Sequence, residues 1–442
     1  MNRVLGIRHE DKYAMECRVP LIPSDLERVV KSGVEVLVEP SPKRVFPDQD
    51  FLNIGAKLQK DLSSADVVFG VKEMPLDFFQ KNKTYIFFSH VIKGQEYNMP
   101  MLKKMISQSC NLIDYEKIVD DQDRRLIFFG RYAGLAGMIN SLWSLGQRFK
   151  GFGHDNPFDD LKQSHKYNSL DEAIDSVKKA GQRLKNKALS SSLPPIVIGF
   201  TGYGNVSKGA QEIANILPGK FILPEDILNM EEEDFERNCV YKVVFKEEDM
   251  FEPLSSDKKF DLEEYFNHPE LYKSKFSPYI SKLTVLMNCM YWSDQYPRIV
   301  SFEDIKKAFQ DIYSRISVIG DITCDPGGSI QCTYKGTPIE DPVFVYDPLS
   351  EEYVSGFQGR GILIMAVDIL PSELPRESSE AFSKALSPFV LQILNANFEK
   401  EWEKLDLPLP IKKAMILHKG KLTPSYSYLS KYLNSSCFAD SI

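Results

Sequence analysis

Strand-like and helix-like segments alternate along the first 130 residues, and this alternation is the strongest constraint on the fold. Apolar runs with strand character lie at 3–8, 34–39, 66–72, 84–89 and 111–116, and runs with helix character lie at 23–32, 48–57 and 98–108. This alternation favours a parallel sheet with helices packed on its faces. We therefore expect an α/β domain at the start of the chain.

Three of these strands run directly into a side chain that can carry a proton: Lys72, His90 and Glu116. Ligands of open parallel sheets bind outside the carboxyl ends of the strands, so neighbouring strands would gather these groups at one edge. Acid–base chemistry needs such a cluster of titratable groups. Each group also has an ordinary interpretation: a solvated lysine, a structural histidine, and a glutamate paired with Lys117 or Arg124.

Two arginines are candidates for binding a substrate carboxylate. Arg18 follows Glu16 and Cys17, and Arg125 is the second of an Arg-Arg pair. A guanidinium group binds a carboxylate through two parallel hydrogen bonds, which makes arginine the usual residue for this task. The alternative for each is an ordinary surface arginine.

A second strand–helix region contains a glycine-rich turn. After expected helices at 131–149 and 169–187, the buried-type strand 196–201 enters Gly202-Tyr-Gly204-Asn205-Val206-Ser207 and a helix. Glycines at the first two fingerprint positions allow the tight turn and the close approach of a pyrophosphate to the helix N-terminus. Ser207 replaces the third glycine of the fingerprint. The pattern predicts a nicotinamide dinucleotide site, and the alternative is a glycine-rich turn that binds nothing.

Three further acidic residues bear on this cofactor. Glu225 lies about twenty residues after the turn, where a carboxylate that binds the ribose 2′-hydroxyl of NAD is expected. Such a carboxylate would repel the 2′-phosphate of NADP. Asp321 ends another expected strand, at 316–321, Asp325 follows it, and either could face the nicotinamide. The alternative for this pair is an Asp-Pro-Gly turn.

The rest of the chain adds fewer constraints. Further strands are expected at 220–223, 240–245 and 283–288, with an elaborated loop at 246–282 that contains a short helix near 260–267. A strand at 361–368 and a helix at 378–396 have no obvious place in the second domain. They could return to the first.

Composition excludes several classes of protein. A chain of 442 residues is expected to form two domains. Its net charge of −8 argues against nucleic acid or an anionic membrane as a main partner. The seven cysteines lack metal-binding spacing, which favours reduced thiols in a cytosol-like compartment and no metal site. No apolar run is long enough to span a membrane, and a strand at residue 3 leaves no room for a leader, although a leader already removed would not be seen.

Taken together, the motifs resemble those of the lysine–2-oxoglutarate reductase (saccharopine-forming) module, a relative of the saccharopine dehydrogenases and, more distantly, of alanine dehydrogenase. The matching stretches are RVPLIP (18–23), GVKE (70–73), FFSHVIKGQE (87–96), IDYEK (113–117), GLAGMIN (134–140), FTGYGNVSKGAQ (200–211), GDITCDPGGSI (320–330) and VDILPSELP (367–375). They are spread over nearly the whole chain, and together they are far more specific than any one motif.

The resemblance implies two Rossmann-like domains, the first discontinuous. The first would comprise residues 1–130 and 331–442, and the second residues 131–330. It implies that lysine condenses with 2-oxoglutarate and that the imine is reduced to saccharopine. Members of this branch usually take NADP(H), and NAD(H) is the alternative that Glu225 favours.

The resemblance also implies roles for individual residues. Lys72 and His90 match the family's acid–base pair, and five further positions match residues around the substrates: Arg18, Lys93, Gln95, Glu116 and Arg125. The family module is often fused to a saccharopine-oxidising domain, so both a free-standing enzyme and an excised module fit, and a homo-oligomer is compatible with either. In the cell we expect a cytoplasmic protein, or a mitochondrial matrix protein if a leader has been removed.

Three alternatives share this fold. The first is an NAD-dependent, lysine-forming saccharopine dehydrogenase, which catalyses the same reaction in reverse. The second is an alanine dehydrogenase, which would depend on ammonia and pyruvate. The third is a nucleotide-binding protein without catalytic activity, although such a protein would have no reason to keep Lys72, His90, Arg18 and Glu116 together.

Overall fold

The computed structural model describes residues 3–433. The strands are β1 Val4–Ile7, β2 Glu35–Val38, β3 Lys57–Leu58, β4 Val67–Phe69, β5 Thr84–Phe87, β6 Asn111–Asp114, β7 Ile196–Thr201, β8 Gly219–Phe221, β9 Val240–Phe245, β10 Phe251–Pro253, β11 Tyr272–Ser274, β12 Val285–Asn288, β13 Val318–Asp321, β14 Val343–Asp347, β15 Glu352–Ser355, β16 Ile362–Met365, β17 Met415–His418 and β18 Lys421–Leu422. The helices are α1 Pro23–Lys31, α2 Asp48–Asn53, α3 Met99–Ser107, α4 Gly130–Gly151, α5 Leu170–Asn186, α6 Asn205–Ala214, α7 Pro224–Asn229, α8 Glu247–Met250, α9 Leu262–Asn267, α10 Ser277–Ile280, α11 Phe302–Gln310, α12 Pro375–Asn395, α13 Leu409–Lys413 and α14 Ser430–Leu433.

The chain folds into two compact units. The first unit joins the residues up to Phe129 with those from Pro375 onward, and the second comprises Gly130–Leu374. The return to the first unit therefore lies at residue 375, whereas we expected it at 331. The reason is that β14, β15 and β16 extend the sheet of the second unit. The strand expected at 361–368 is β16, so only the helix after it belongs to the first unit.

The sheet of the first unit has the strand order β18-β17-β6-β5-β4-β1-β2-β3. β1 to β6 pair in parallel, and β17 and β18 add antiparallel strands beside β6. The residues of β4 and β5 are all buried, as expected of a parallel sheet that is covered on both faces. The predicted parallel α/β arrangement is confirmed, and the two antiparallel strands near residue 415 were missed.

The first unit is closed by α12, which comes from the distant end of the chain. Ser379 and Ser383 on this helix accept hydrogen bonds from the backbone N–H groups of Val19 (3.1 Å) and Ile22 (3.0 Å). These bonds satisfy amide groups near the start of α1 that would otherwise be buried without a partner. The segment that carries Arg18 is thus tied to α12.

The sheet of the second unit has the strand order β15-β14-β16-β13-β12-β7-β9-β8. β7 pairs in parallel with both β12 and β9, while β8 lies at the outer edge beyond β9. A dinucleotide-binding sheet of the usual order places the second strand of the chain beside the first. Here the strand that comes after the glycine turn in sequence, β8, is separated from β7 by β9.

The segment 246–282 is more regular than the expected loop. It contains an antiparallel ribbon of β10 and β11 in addition to the three short helices α8, α9 and α10. The side chains of Phe251, Tyr265 and Tyr272 pack together, which gives the segment its own part of the buried core. The helix predicted near 260–267 is α9.

Candidate functional site

In the first unit, the carboxyl ends of three neighbouring strands form one edge. β4 pairs in parallel with β5, and β5 with β6, so that Phe69 lies beside Ile86 and Phe87 beside Asp114. Lys72, His90 and Glu116 come within two or three residues of the ends of these strands. The strand register accordingly brings the three predicted side chains to the same edge of the sheet.

His90 belongs to a charged chain at this edge. Its Nδ1 lies 2.8 Å from Oε1 of Glu73, and the Nζ of Lys12 lies 2.7 Å from the same oxygen. Burial raises the pKa of the Glu73 carboxyl, but the hydrogen bonds and charges of His90 and Lys12 outweigh burial and lower it to about 2. The other oxygen of Glu73 is buried and has no hydrogen-bond partner among residues 3–433, so it can accept from a bound ligand or water.

The backbone of His90 adopts an unusual conformation. Its φ of +52° lies in the left-handed region, which costs a side-chain-bearing residue about 1 kcal/mol or more. The Asn98 side chain donates to the His90 carbonyl (3.2 Å) and helps to hold this turn. The imidazole is 32% exposed, so it is fixed by Glu73 but remains open to solvent on one side.

Lys72 reaches the same group of side chains. Its Nζ lies 5.6 Å from the centre of the Tyr13 ring, and the Nζ of Lys12 lies 5.4 Å from that ring. Lys12 in turn shares Glu73 with His90. Lys72 and His90 are therefore connected through two intervening side chains and an aromatic ring within one unit.

Two buried carboxylates position this edge through the backbone, and Glu10 is the first. Glu10 accepts hydrogen bonds from the N–H groups of Val71 (2.6 Å) and Lys72 (2.9 Å). Burial, together with the charge of Glu16, raises the pKa of Glu10 to about 7 against the opposing effect of these bonds. Glu10 thereby anchors the turn that carries Lys72.

Asp114 performs the same task beside His90. It accepts from the backbone N–H and the hydroxyl of Ser89, and from the N–H of Glu116 (2.8 Å). Burial is the main cause that raises the pKa of Asp114. Since Ser89 precedes His90 directly, one carboxylate orients two of the three predicted side chains.

Arg18 is placed differently from a free carboxylate clamp. Its side chain is 3% exposed, donates to both oxygens of Glu16 (2.7 and 2.5 Å) and stacks on Phe129 at 4.2 Å. Burial raises the pKa of Glu16, but the charges of Arg18 and Lys72 lower it below its ordinary value. The paired donors of Arg18 are thus used within the protein.

Arg125 is the more accessible of the two candidate clamps. It is 48% exposed and pairs with Glu116, whereas the neighbouring Arg124 pairs with Asp120 at 2.8 Å. Glu116 therefore has a basic partner, as the ordinary interpretation expected, but that partner is Arg125. The pair lies at the edge of the sheet, and the Arg125 side chain remains accessible to solvent.

Lys93 and Gln95 lie on the loop between His90 and α3. Lys93 is exposed and Gln95 is half-buried. The C-terminal segment holds this loop, because the Tyr428 hydroxyl donates to the Ile92 carbonyl at 2.7 Å. The loop keeps both polar side chains on the unit that carries His90.

In the second unit, the glycine turn has the geometry of a phosphate-binding turn. Gly202 has a φ of +75°, and its N–H donates to the carbonyl of Phe245 at 2.8 Å. A Cβ atom added to Gly204 would meet no protein atom within 4 Å, so the backbone there is open to a ligand. Asn205 and Val206 begin α6, whose N-terminal amides face the turn and can bind a pyrophosphate.

The departure at Ser207 is explained by the packing of α6. The Ser207 hydroxyl is buried and accepts from the side chain of Gln211 at 2.9 Å. A Cβ added to Gly209 would lie 2.1 Å from the Arg131 carbonyl, and one added to Gly134 would lie 2.0 Å from that of Val206. The close approach of α4 and α6 therefore depends on Gly209 and Gly134. The turn fits a dinucleotide pyrophosphate without a third glycine at 207.

Glu225 is not in the position that the sequence spacing indicated. It comes after β8, which lies two strands from β7, and its side chain is exposed. Between β7 and β8 lies β9, and the residues directly after β9 are Lys246 and Glu247. The residue spacing therefore pointed to Glu225, which follows a strand that is not adjacent to β7.

Asp321 is buried at the end of β13 and makes internal hydrogen bonds. It accepts from the side chains of Asn288 (2.8 Å) and Thr333 (2.6 Å) and from the N–H of Cys324 (3.2 Å). Burial is the main cause that raises the pKa of Asp321. Asp325 lies on the exposed part of the next turn, where its carbonyl accepts from Gly328. Of the two aspartates, Asp325 is the one open to solvent.

Several residues of these sites were not found by sequence reasoning. They are Glu10, Lys12, Tyr13 and Asp114 in the first unit and Glu247 in the second. The one usable signal was an acidic residue directly at or after an apolar strand, which holds for Asp114 and Glu247. Glu10 bonds to residues about sixty positions away, which no local pattern reveals.

Comparisons with known proteins agree with this architecture. Residues 6–136 match the alanine dehydrogenase/PNT N-terminal domain, and residues 293–425 match the alanine dehydrogenase/PNT C-terminal domain. Among solved structures, an L-alanine dehydrogenase superposes with a TM-score of 0.61 at 16% identity, covering 97% of this chain and 99% of that one. At this identity the likeness establishes the fold alone.

Sequence relatives are more specific. The chain is 37% identical to the alpha-aminoadipic semialdehyde synthase of Arabidopsis thaliana and 34% identical to the mitochondrial one of Mus musculus, over 98% of its length in both cases. It covers 42% and 48% of these two proteins, so it spans about half the length of the relatives it matches. It is also 28% identical to the saccharopine dehydrogenase [NAD(+), L-lysine-forming] of Emericella nidulans, covering 91% of this chain and 95% of that protein.

The helices were also compared with the requirements of a membrane span. Among the helices of residues 3–433, none has both the length and the apolar character needed to cross a bilayer.

Proposed function

The chain belongs to the alanine dehydrogenase/PNT family, within the group of the alpha-aminoadipic semialdehyde synthases and saccharopine dehydrogenases, and from this premise we propose that it condenses L-lysine with 2-oxoglutarate and reduces the product to saccharopine. The observation that carries the proposal is the charged chain from Lys72 through Tyr13, Lys12 and Glu73 to His90. It provides two proton-carrying groups at one sheet edge, as imine chemistry requires.

Condensation needs two proton transfers. The lysine ε-amine must lose a proton before its nitrogen attacks the ketone carbon of 2-oxoglutarate, and the resulting carbinolamine must lose water to give the imine. We assign Lys72 as the base that accepts the proton from the amine, and His90 as the acid that protonates the departing oxygen. Glu73 orients the imidazole through Nδ1, which leaves Nε2 for the substrate oxygen.

The substrate carboxylates need cationic partners at the same edge. Arg125 and Lys93 are exposed enough to bind them, and Glu116 orients the guanidinium of Arg125. Gln95 offers an amide from the same loop as Lys93. We assign Arg18 a different task, because its pairing with buried Glu16 suits it to holding the site in shape rather than to binding substrate.

The second unit supplies the dinucleotide-binding turn. Gly202 and Gly204 with the first amides of α6 would hold the pyrophosphate, and Asp325 lies on an exposed turn of the same unit. When bound, a reduced nicotinamide would supply a hydride to the imine carbon, so that the imine is reduced to a secondary amine. The cofactor is a nicotinamide dinucleotide, either NADP(H) or NAD(H).

The setting of the activity is proposed on the same basis. The relatives from Arabidopsis thaliana and Mus musculus are about twice as long as the part that this chain covers, so the chain would act with, or as part of, a saccharopine-oxidising partner. None of the six cysteines within residues 3–433 forms a disulfide there, which suits a reducing cytoplasm or mitochondrial matrix. The relative from Mus musculus is mitochondrial by name.

A second candidate is the same reaction run toward lysine. The match to a saccharopine dehydrogenase over 95% of that protein favours it, because that relative is named as L-lysine-forming and dependent on NAD(+). The residue roles are then reversed, with His90 as the base that activates water and Lys72 as the acid toward the departing amine. Saccharopine with an oxidised dinucleotide tests this direction.

The proposal is tested by measuring the absorbance of the reduced dinucleotide in the presence of the purified chain. We expect oxidation when lysine and 2-oxoglutarate are added together, and none when either is added alone. Ammonia with pyruvate serves as the control for alanine dehydrogenase activity. Oxidation with that pair, or no oxidation with any pair by a chain that binds the dinucleotide, would contradict the proposed function.

A further inference from the structure

The strand order of the second unit identifies which acidic residue lies beside the glycine turn. In dinucleotide-binding sheets, the carboxylate that binds the adenosine ribose comes from the strand next to the one that enters the turn. β7 has two neighbours, β12 and β9, and the one that is followed directly by acidic residues is β9, which pairs with β7 along its whole length from Ile196–Val240 to Thr201–Phe245. Neighbouring strands lie about 4.8 Å apart, so a residue at the end of β8 starts roughly 10 Å from β7.

Direct contacts connect the end of β9 to the turn. The Gly202 N–H donates to the Phe245 carbonyl, two residues before Glu247. Tyr203, inside the turn, lines the same cavity as Glu247, and the charge of the Glu247 carboxylate is the main cause that raises the pKa of Tyr203. Glu247 is 9% exposed, so its charge is poorly screened by solvent.

A cavity of about 440 Å³ opens beside these residues. It is lined by Tyr203, by Lys246–Glu248 and by Phe260–Leu262. Phe260 and Leu262, from the segment 246–282, together with the ring of Tyr203 give the cavity an apolar wall, as an adenine ring requires. The elaborated segment thus contributes to the side of the turn where Glu247 lies.

The charges around this cavity are mainly negative. Glu247 and Glu248 come just after β9, and Asp261 caps α9 by accepting from the N–H of Glu264 at 2.7 Å. Lys246 is the cation among the lining residues, and its Nζ is 3.6 Å from a Glu248 oxygen. A 2′-phosphate needs an unopposed arginine or lysine, whereas a ribose 2′-hydroxyl needs a carboxylate.

We propose that Glu247, and not Glu225, recognises the adenosine ribose of the cofactor, and that this chain consequently prefers NAD(H) to NADP(H). The inference rests on the dinucleotide binding contained in the proposed function, and it reverses the cofactor that the reductase resemblance implied. The Glu247 carboxylate lines the cavity beside the turn, and its oxygens can accept a hydrogen bond from the 2′-hydroxyl. The same charge repels a phosphate at that carbon.

The test measures binding of NADH and NADPH to the full chain by calorimetry, with lysine and 2-oxoglutarate absent. We expect NADH to bind about tenfold more tightly or better, since a hydrogen bond to a charged group corresponds to roughly a 10- to 150-fold change in affinity. Glu247→Gln should reduce the NADH-to-NADPH affinity ratio about tenfold. The matched control Glu225→Gln should leave that ratio unchanged.

A cofactor analogue provides a test without any substitution. NADH that lacks the adenosine 2′-hydroxyl should bind the wild-type chain about tenfold more weakly than NADH. Tighter binding of NADPH, an unchanged ratio in a folded Glu247→Gln variant, a changed ratio in Glu225→Gln, or no binding of either dinucleotide would each overturn the inference. Failure of the lysine reaction with NADH still bound would count only against the proposed function.

Discussion

The edge of the first unit and the glycine turn of the second are built in opposite ways. The first site consists of charged side chains that are held by specific partners. For example, Glu10 accepts a hydrogen bond from the backbone N–H of Lys72, and Glu73 pairs with the imidazole of His90. At the second, the turn is made by backbone: Gly202 adopts a positive φ, and the missing side chain of Gly204 leaves an opening. The first site can therefore be altered one charge at a time, whereas the second depends on the spacing of its backbone.

This difference determines how each site should respond to substitution. A site made of paired charges couples activity to stability, because removing one partner leaves the other buried and uncompensated. A site made of open backbone can lose its ligand while the fold is preserved. Substitutions at the two sites should therefore differ in whether activity, stability or both are lost.

The largest effect is expected for the proton-carrying pair. Lys72→Met and His90→Gln should each reduce turnover roughly 100- to 10,000-fold, as is usual for the loss of a general acid or base. Steady-state rates with lysine and 2-oxoglutarate measure this. Lys103→Met, which removes an exposed lysine of α3, serves as the matched control. Wild-type turnover in either folded variant would remove that residue from the chemistry.

Substitution of the two candidate carboxylate-binding arginines should have different effects, one on the stability of the fold and the other on substrate affinity. Arg18→Met removes the guanidinium that pairs with buried Glu16 and should lower the free energy of unfolding by about 3–5 kcal/mol. Arg125→Met removes an exposed pair and should cost about 1 kcal/mol or less, while it raises the KM for a substrate. Urea unfolding and steady-state kinetics measure both. A stable Arg18→Met variant with a raised KM would return Arg18 to the role of a substrate clamp.

Glu10 should make the stability of the first unit depend on pH. Its pKa is raised to about 7 in the folded chain from an ordinary 4.5, so the folded state holds the proton more tightly than the unfolded state. The stabilisation is therefore complete below about pH 4.5 and is lost as the pH rises to about 7, a change of roughly 3 kcal/mol.

The measurement is the difference between wild type and Glu10→Gln in urea unfolding from about pH 4.5 to about pH 7.5, a range that spans the two pKa values. The wild type should lose stability relative to the variant as the pH rises, because glutamine does not titrate. Parallel stability curves for the two proteins would contradict the assigned burial of the Glu10 charge. Glu73, whose pKa is lowered to about 2 from an ordinary 4.5, contributes in the opposite sense and loses its contribution as the pH falls between these values.

The smallest effects are expected at the glycines. Gly204→Ala places a methyl group in open space, so it should leave thermal stability unchanged and weaken dinucleotide binding by about tenfold or more. Gly209→Ala brings a methyl group against the Arg131 carbonyl and should cost about 1–3 kcal/mol of stability. Calorimetric titration and thermal melting distinguish the two. The contrast fails if Gly204→Ala unfolds the chain or binds the dinucleotide normally.

The sequence was sufficient for those features that depend on local patterns. The parallel strands of the first unit, the edge that gathers Lys72, His90 and Glu116, and the glycine turn could all be predicted from apolar runs and the residues directly after them. Strand order could not, because the pairing of β7 with β9 and not with β8 depends on packing between distant segments. Glu225 was predicted from residue spacing alone because the strand order could not be predicted.

The same reason explains the other differences. Glu10 and Asp114 were missed because their partners are backbone amides in other segments. Arg18 was predicted to bind substrate because the sequence does not show that it is buried. In the structure it packs on Phe129 in a segment tied to α12, and its buried side chain pairs with Glu16. The return of the chain was expected at 331 because nothing local marks β14 and β15 as part of the second sheet.

The most direct test of the central claim is mass spectrometry of the reaction product. The wild-type chain, incubated with lysine, 2-oxoglutarate and a reduced dinucleotide, should form one compound with the mass of the two substrates joined, less one oxygen atom. Lys72→Met should form it far more slowly, although it still binds the dinucleotide. Dinucleotide oxidation without this adduct, or adduct formation by Lys72→Met at the wild-type rate, would contradict the account.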